Sequence, residues 1–162
     1  MTDTTTTYSP PAQLEAWVAF LRTHAAITRE LSAQLQRAHD LTLNDYEVLL
    51  HLARAEDGML RRVDLAERVI LTASGITRLL DGLERIGYVR KETCSSDARV
   101  SYAKLTEAGH EKLRESSVTH LAGIDELFTG RFSGPELSSL AGLLSRLPAT
   151  GADCTRDAEC GA

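Results

Sequence analysis

The stretch VDLAERVILTASGITRLLDGLERIGYVR, from Val63 to Arg90, has the pattern of a short helix, a tight turn and a longer helix. In the longer helix, apolar residues recur at the spacing that places them on one face of a 3.6-residue period, and polar residues occupy the other face. The apolar face comprises Ile76, Leu79, Leu80, Leu83 and Ile86, and the polar face comprises Ser74, Thr77, Arg78, Asp81 and Arg85. An ordinary amphipathic surface helix would show the same pattern, so this pattern alone does not assign a function to the helix.

The start of the longer helix, Thr72-Ala73-Ser74-Gly75, is small and rich in hydroxyl groups. A helix whose first turn enters a DNA groove needs small residues for close approach, hydroxyls for phosphates and an arginine for a base edge or a phosphate. We therefore take five residues of this segment as candidate DNA contacts, namely Thr72, Ser74, Gly75, Thr77 and Arg78.

A β-hairpin is predicted directly after this helix. Gly87 is placed to end the helix, and two β-rich runs follow, Tyr88 to Thr93 and Val100 to Leu105, joined by a polar tip. A helix-turn-helix followed at once by a basic, polar-tipped hairpin is typical of a winged helix-turn-helix, which favours DNA binding over the surface-helix interpretation. Lys91 on the first run, like Arg90 and Lys104, is expected either to contact a phosphate or to be solvated.

Further helices are predicted on both sides of the winged segment. The helix from about Ala12 to Ala38 carries two apolar stripes, which indicates one partner inside the subunit and one outside it. Capping patterns at Thr42 and Ser133 open a second helix and a last helix, and Thr106 opens a long one between them. We expect a mainly α fold with a small β-hairpin wing, a winged helix-turn-helix joined to a helical dimerisation platform.

The domain organisation that follows is one central domain between two short ends. We expect a flexible leader at 1–11, the domain at 12–148 and a flexible tail at 149–162. Within the domain, the winged helix-turn-helix covers about 42–105 and the dimerisation helices about 12–38 and 107–148.

The charge of the chain is unevenly distributed. The net charge is −5, but the segment from Arg61 to Lys104 holds nine basic and six acidic residues, a net charge of +3, which leaves −8 for the remainder. A basic lobe on an acidic body suits a protein that touches an anion with one part only. The acidic total alone would favour a winged module that binds proteins instead of DNA, and the basic lobe with Arg78 disfavours it.

Composition and motifs argue against several other classes of protein. A chain of 162 residues with 43% hydrophobic and 25% charged residues is ordinary for a globular protein. No apolar run approaches the roughly 20 residues that span a bilayer, and the first residues lack a signal-peptide pattern, so we expect a cytoplasmic protein with no membrane partner. The five histidines show no paired metal-ligand spacing, and no nucleophile elbow, phosphate loop or dinucleotide fingerprint occurs. We expect neither enzyme activity, nor a metal, nor a cofactor.

The run from Asp97 to Gly109, DARVSYAKLTEAG, resembles the DxRxxxxxLTxxG signature of MarR-type transcriptional regulators. Upstream, the segments DLAER from Asp64 and SGITRLLDGLE from Ser74 are similar to the two helix-turn-helix segments of that family, and the helix order fits from about Ala12 to Leu147. One departure is Gly75 in the first helical turn. It costs up to about 1 kcal/mol of helix stability relative to alanine, for which close approach to the DNA backbone is the explanation we expect.

The resemblance implies a homodimer, usually a repressor, in which the first and the last two helices of each subunit form a shared platform. The two winged lobes would then reach successive major grooves of a pseudo-palindromic operator on double-stranded DNA. The wing arginine, here Arg99, would enter the minor groove and be held in place by Asp97, while the residues at the start of the recognition helix face bases and phosphates.

The resemblance also implies an effector, and here alternatives stay open. Many members of this family sense small aromatic acids or phenols between platform and lobe, and others sense oxidants through a cysteine. Cys94 at the wing base is a candidate switch, but the chain has no cysteine near its N-terminus, where the oxidant-sensing cysteine of the family usually lies, and Cys154 and Cys160 fall in the tail. Candidates for an aromatic effector are Trp17, Phe20, His24, Tyr46, Leu50 and His51, although core and dimer packing is the favoured role for most of them.

Overall fold

The computed structural model describes residues 12–69, 71–93 and 101–148, which form six α-helices and three short β-strands. The helices are α1 (Ala12–His39), α2 (Leu43–Arg54), α3 (Arg62–Arg68), α4 (Ala73–Arg85), α5 (Glu107–Leu127) and α6 (Gly134–Leu144). The strands are β1 (Met59–Arg61), β2 (Val89–Thr93) and β3 (Ser101–Leu105), and 3₁₀ turns cover Glu56–Gly58 and Thr129–Arg131. The expected leader, wing tip and tail lie outside the described residues.

Local capping chemistry sets most of the helix ends where the sequence places them. The Thr42 hydroxyl accepts from the backbone N–H of Asp45 at 3.2 Å, while the Asp45 carboxylate accepts from the Thr42 N–H at 2.8 Å. The same reciprocal box opens α6, where Glu136 accepts from the Ser133 N–H at 2.8 Å. Each box satisfies N–H groups that a helix start would otherwise leave unpaired.

The sheet has one more strand than the sequence predicts. β3 lies in the middle of the antiparallel order β1-β3-β2, with Leu60 opposite Ala103 on one side and Lys91 opposite Ala103 on the other. The sequence of β1 shows no strand pattern, because three residues are too few to show a period of two and the pairing partner is far along the chain.

The core lies between α2, the sheet, the helix-turn-helix and the first half of α5. Its buried side chains come from every one of these elements and from the end of α1; the fully buried ones include Leu35, Leu41, Leu49, Leu52, Leu65 and Leu83. In α4, Ile76, Leu80 and Leu83 are buried as the helical period predicts. Ile86 was predicted on the same buried face and is 52% exposed, because α4 ends at Arg85 and Ile86 is its C-cap.

The platform helices leave much apolar surface uncovered. Of the two stripes on α1, Leu31 and Leu35 are buried, whereas the first half of the helix is exposed. α6 has no buried residue, and Leu121 of α5 is 62% exposed. The exposed large apolar side chains of these three helices are Leu14, Trp17, Phe20, Leu21, Val118, Leu121, Leu143 and Leu144. None of the helices in the described ranges is both long and apolar enough to cross a bilayer.

Candidate nucleic-acid interface

The start of α4 is an exposed, hydroxyl-lined helix N-terminus. Thr72 is its N-cap, and the Thr72 hydroxyl accepts from the backbone N–H of Gly75 at 3.1 Å. The hydroxyl of Ser74 lies 3.2 Å from that of Thr72, and both side chains are exposed. An N-terminus of this kind attracts phosphate oxygens, because its free N–H groups and the helix dipole both favour negative charge.

The geometry of the subunit also explains why glycine occupies position 75. A Cβ at this position would lie 3.2 Å from the Thr72 hydroxyl oxygen and 3.6 Å from the Cβ of Leu71. Such a methyl group would press on the cap that starts the helix, so the missing side chain favours the cap geometry. Close approach to DNA is the reason expected from the sequence, and the cap geometry is a second reason that requires no DNA.

Thr77 and Arg78 follow on the outer face of α4. The Thr77 hydroxyl donates to the Ala73 carbonyl at 2.8 Å, and Arg78 Nε reaches the Ser74 carbonyl at 3.4 Å. Arg78 is exposed, and within the described ranges it forms no ion pair, whereas Arg61, Arg62 and Arg90 are each paired with a carboxylate. Its guanidinium is therefore available to an anion or a base edge.

The helix-turn-helix holds α4 with its apolar face inward. The Leu71 N–H donates to the Ala66 carbonyl at 2.9 Å, which closes the turn after α3. Leu65 of α3 and Ile76 and Leu80 of α4 are then buried together in the core. Packing of this face leaves Ser74, Thr77 and Arg78 on the solvent side, as the helical period predicts.

The described part of the wing is β2 and β3. Lys91 on β2 is exposed, and no ion pair of its ammonium group occurs among the residues that the structure describes. Asp97 and Arg99, the wing residues expected to act in the minor groove, lie outside the described residues, as do Cys94, Cys154 and Cys160. Their roles stay predictions from the sequence.

Thr106 and Gly109 attach the wing to α5, a role that the sequence did not make evident. The Thr106 hydroxyl donates to the Gly87 carbonyl at 2.7 Å and accepts from the Gly109 N–H at 3.1 Å. A Cβ on Gly109 would collide with the Tyr88 carbonyl oxygen and lie 2.6 Å from Leu105 Cδ1. The signal was present as the LTxxG part of the wing signature, but only the fold shows why a hydroxyl and a glycine are needed there.

The six candidate effector residues fall into two groups. Trp17, Phe20 and His24 form an exposed ladder on α1, with ring centroids 6.2 Å and 6.3 Å apart. Tyr46 is buried: its ring lies 4.3 Å from that of His120 on α5, and its hydroxyl lies 3.2 Å from that of Ser117. Leu50 is partly buried against the core.

His51, the last of the six, is half-buried on α2. Burial and the nearby Arg68 and Arg54 lower the pKa of its imidazole. The structure has a cavity between α4 and the sheet and an open groove along α5, and neither is lined by any of the six candidates. The described residues also hold no group of three or more side chains arranged to bind a metal ion.

α4 packs its apolar face into the core, its hydroxyl-rich start is exposed, and an antiparallel wing adjoins it. This arrangement defines a winged-helix DNA-binding protein. A family model described as the MarR family matches residues 39–100. The chain is 30% identical to AbsC, a MarR family transcriptional regulator from Streptomyces coelicolor. The structural match covers 87% of this chain and 95% of AbsC, with a TM-score of 0.78. The chain is 27% identical to Sco3205 from the same organism, a MarR family regulator solved in complex with DNA, with 86% and 88% coverage and a TM-score of 0.79.

A relative known from sequence agrees with these structures. An uncharacterized HTH-type transcriptional regulator of Bacillus cereus is 31% identical over 121 residues, which cover 74% of this chain and 78% of the relative. The chain therefore belongs to the MarR family of transcriptional regulators. Its relatives and structural neighbours are regulators, so the protein is a regulator of transcription and not an enzyme.

Proposed function

We propose that this regulator is a repressor that binds a pseudo-palindromic operator as a homodimer and is released by a small aromatic or phenolic effector. The observation that supports sequence-specific DNA binding is the start of α4. There the guanidinium of Arg78, which forms no ion pair with any described residue, lies on the same exposed face as Ser74 and near the Thr72 cap. In this mechanism the helix N-terminus and hydroxyls bind phosphates and fix the register, while Arg78 reads a base edge in the major groove. Occupation of a promoter would then exclude the transcription machinery.

The charge distribution supports the same mechanism. The lobe from Arg61 to Lys104 has a net charge of +3 and the remainder −8. Lys91 is exposed on the wing strand beside α4 and is proposed as a phosphate contact. Asp97 and Arg99 are proposed, on the family signature, as the minor-groove pair of the wing, since narrow minor grooves favour an inserted arginine.

The homodimer is supported by the uncovered apolar surface of the platform. α6 buries none of its residues within the subunit, and Leu14 and Leu21 of α1 are exposed. An apolar surface made of two helices and part of a third exceeds what monomers usually leave in contact with water. A two-fold axis through this platform would place two recognition helices on half-sites about 10 base pairs apart, or a multiple of that spacing.

The effector is proposed at the junction of platform and lobe. Support comes from the aromatic ladder of Trp17, Phe20 and His24, whose ring faces are partly open and suit an aromatic ligand. For the lobe side of this junction we propose Tyr46, Leu50 and His51 of α2, of which Tyr46 contacts His120 and Ser117 of α5. Release by peroxide through Cys94 is the alternative outcome.

A mobility-shift titration with the promoter DNA that flanks the protein's own gene tests this proposal. We expect a shift with that duplex at concentrations that leave a scrambled duplex free, and a steep loss of affinity with salt because phosphate contacts release counterions. Aromatic acids and phenols should then release the DNA, and peroxide should not. Equal, weak binding to both duplexes would instead support a winged module that binds proteins.

A further inference from the structure

Two carboxylates, Asp81 and Glu84, lie on the helix that is proposed to enter DNA. Near phosphates a carboxylate is repelled, so a recognition helix needs a reason to carry it. At 100° per residue, Glu84 lies beside Thr77 and Leu80, on the flank of α4 between its buried and exposed faces. That flank faces the sheet: Leu80, Asp81 and Glu84 line one cavity together with Lys91 and Tyr102 of the strands.

Glu84 makes a direct contact with the wing. Its Oε1 accepts a hydrogen bond from the backbone N–H of Lys91 at 3.2 Å. β2 is one of the two edge strands of the sheet, so its outward N–H groups have no neighbouring strand among the described residues. The carboxylate of the recognition helix therefore takes the place of a strand neighbour at the middle of β2.

Asp81 is directed to the same side. Its Oδ1 lies 3.9 Å from Nη2 of Arg62, at the start of α3, and Nη2 is a buried atom. Both carboxylates therefore contact groups within the lobe: Asp81 contacts α3, and Glu84 contacts β2. Of the two, Glu84 has the shorter contact and joins the two elements that are proposed to enter different grooves.

We propose that Glu84 is a positioning residue that holds β2 against the recognition helix and so fixes the wing relative to α4. The inference rests on the proposed DNA binding. With the hydrogen bond from Lys91 to Glu84 in place, α4 and β2 meet one half-site at a fixed distance and angle from each other. Without this hydrogen bond, β2 must be positioned when DNA binds, and the entropy cost of that ordering lowers the affinity.

If Glu84 positions the wing, removing its side chain should change the operator affinity in the direction opposite to that expected from loss of a negative charge. Removing a carboxylate near DNA should strengthen binding if charge alone acts. If Glu84 positions the wing, Glu84→Ala should weaken operator binding roughly three- to tenfold, since one charge-assisted hydrogen bond is lost. Glu84→Gln keeps an acceptor oxygen and should bind the operator at least as tightly as the wild type.

The test combines operator titrations with amide hydrogen exchange at Lys91. Glu67→Ala is the matched charge control, because Glu67 is an exposed carboxylate of the same lobe that forms no hydrogen bond among the described residues. We expect the Lys91 amide to exchange about tenfold faster in Glu84→Ala than in the wild type or in Glu84→Gln. We also expect weaker operator binding by Glu84→Ala alone, with Glu67→Ala at or above the wild-type affinity.

Two results would overturn the positioning role. One is operator binding by Glu84→Ala that equals or exceeds that of Glu84→Gln, and the other is an unchanged exchange rate at Lys91. If the wild type itself fails to bind promoter DNA, the proposed function fails and the positioning role with it, whereas a bound operator with either of the first two results overturns the role of Glu84 only.

Discussion

Gly109 is the point where the platform helix α5 meets the wing. It is buried, and a Cβ there would collide with the backbone oxygen of Tyr88 and the side chain of Leu105. A backbone oxygen in a sheet-linked turn has little room to move, so the cost falls on the packing of α5 against the hairpin. The requirement for glycine here is steric and has no connection with helix flexibility.

We predict that Gly109→Ala lowers the free energy of unfolding by about 1–3 kcal/mol, the usual cost of overpacking. Gly82→Ala is the matched control, because a Cβ at Gly82 meets nothing within 4 Å. In a helix interior it should stabilise the protein by about 0.5–1 kcal/mol. Denaturant unfolding of both variants measures the difference, and equal stabilities would contradict the close contact at Gly109.

The role of Arg99 as a minor-groove contact is a prediction from the sequence alone. The minor groove carries a degenerate hydrogen-bond pattern, so an arginine there acts through groove shape and charge. We predict that Arg99→Ala weakens binding to operator and to scrambled duplex alike, by about 1–3 kcal/mol. Titration of both duplexes at one fixed salt concentration checks this, and unchanged affinity for both would mean that the wing is not a DNA contact.

Among the elements, the junction of α2 and α5 holds a histidine with an unusual environment. His120 packs against Tyr46, and its Nδ1 is buried without a hydrogen-bond partner among the described residues. Burial lowers the pKa of His120 from the usual 6.5. The folded state therefore binds a proton less readily than the unfolded chain, and the stability that this difference contributes is lost as the pH falls below 6.5.

We predict that His120→Phe, which keeps a ring against Tyr46, reduces the loss of stability between about pH 7.5 and about pH 5.5. Part of the loss should remain, because the pKa of His51 is lowered too. Thermal unfolding of wild type and variant at the two pH values measures the effect. An identical pH dependence of the two proteins would show that His120 does not carry it.

Elements defined by short-range patterns could be predicted from the sequence, and those defined by long-range contacts could not. The capping boxes at Thr42 and Ser133 and the α4 face of Ile76, Leu80 and Leu83 follow from spacings within one turn or two. β1 was missed, since its pairing with β3 is set by the tertiary fold. At the site, the exposed helix start was predicted, whereas the wing contact of Glu84 depends on where β2 lies and left no sequence signal.

At the scale of the whole molecule, the platform is incomplete as a single subunit. Leu144 lies on the same face of α6 as Leu137 and Leu140 and is exposed, while Ser139 lies on the opposite face. We predict a stable dimer at micromolar concentration by light scattering. Leu144→Glu should shift it towards monomer, because a charge would be buried in the interface, and Ser139→Glu should not. A monomeric wild type would contradict the proposed platform.

The first turns of α4 are proposed to read DNA sequence, and a substitution of Arg78 tests this role most directly. Arg78 is exposed and outside the core, so Arg78→Ala should remain folded and dimeric. The decisive measurement is an anisotropy titration of wild type and Arg78→Ala, at one salt concentration, against the operator in the promoter DNA that flanks the protein's own gene and against a scrambled duplex. We predict a loss of about 1–3 kcal/mol on the operator and little change on the scrambled duplex, so that the ratio of the two affinities narrows. An unchanged ratio would contradict the assignment of α4 as the recognition helix.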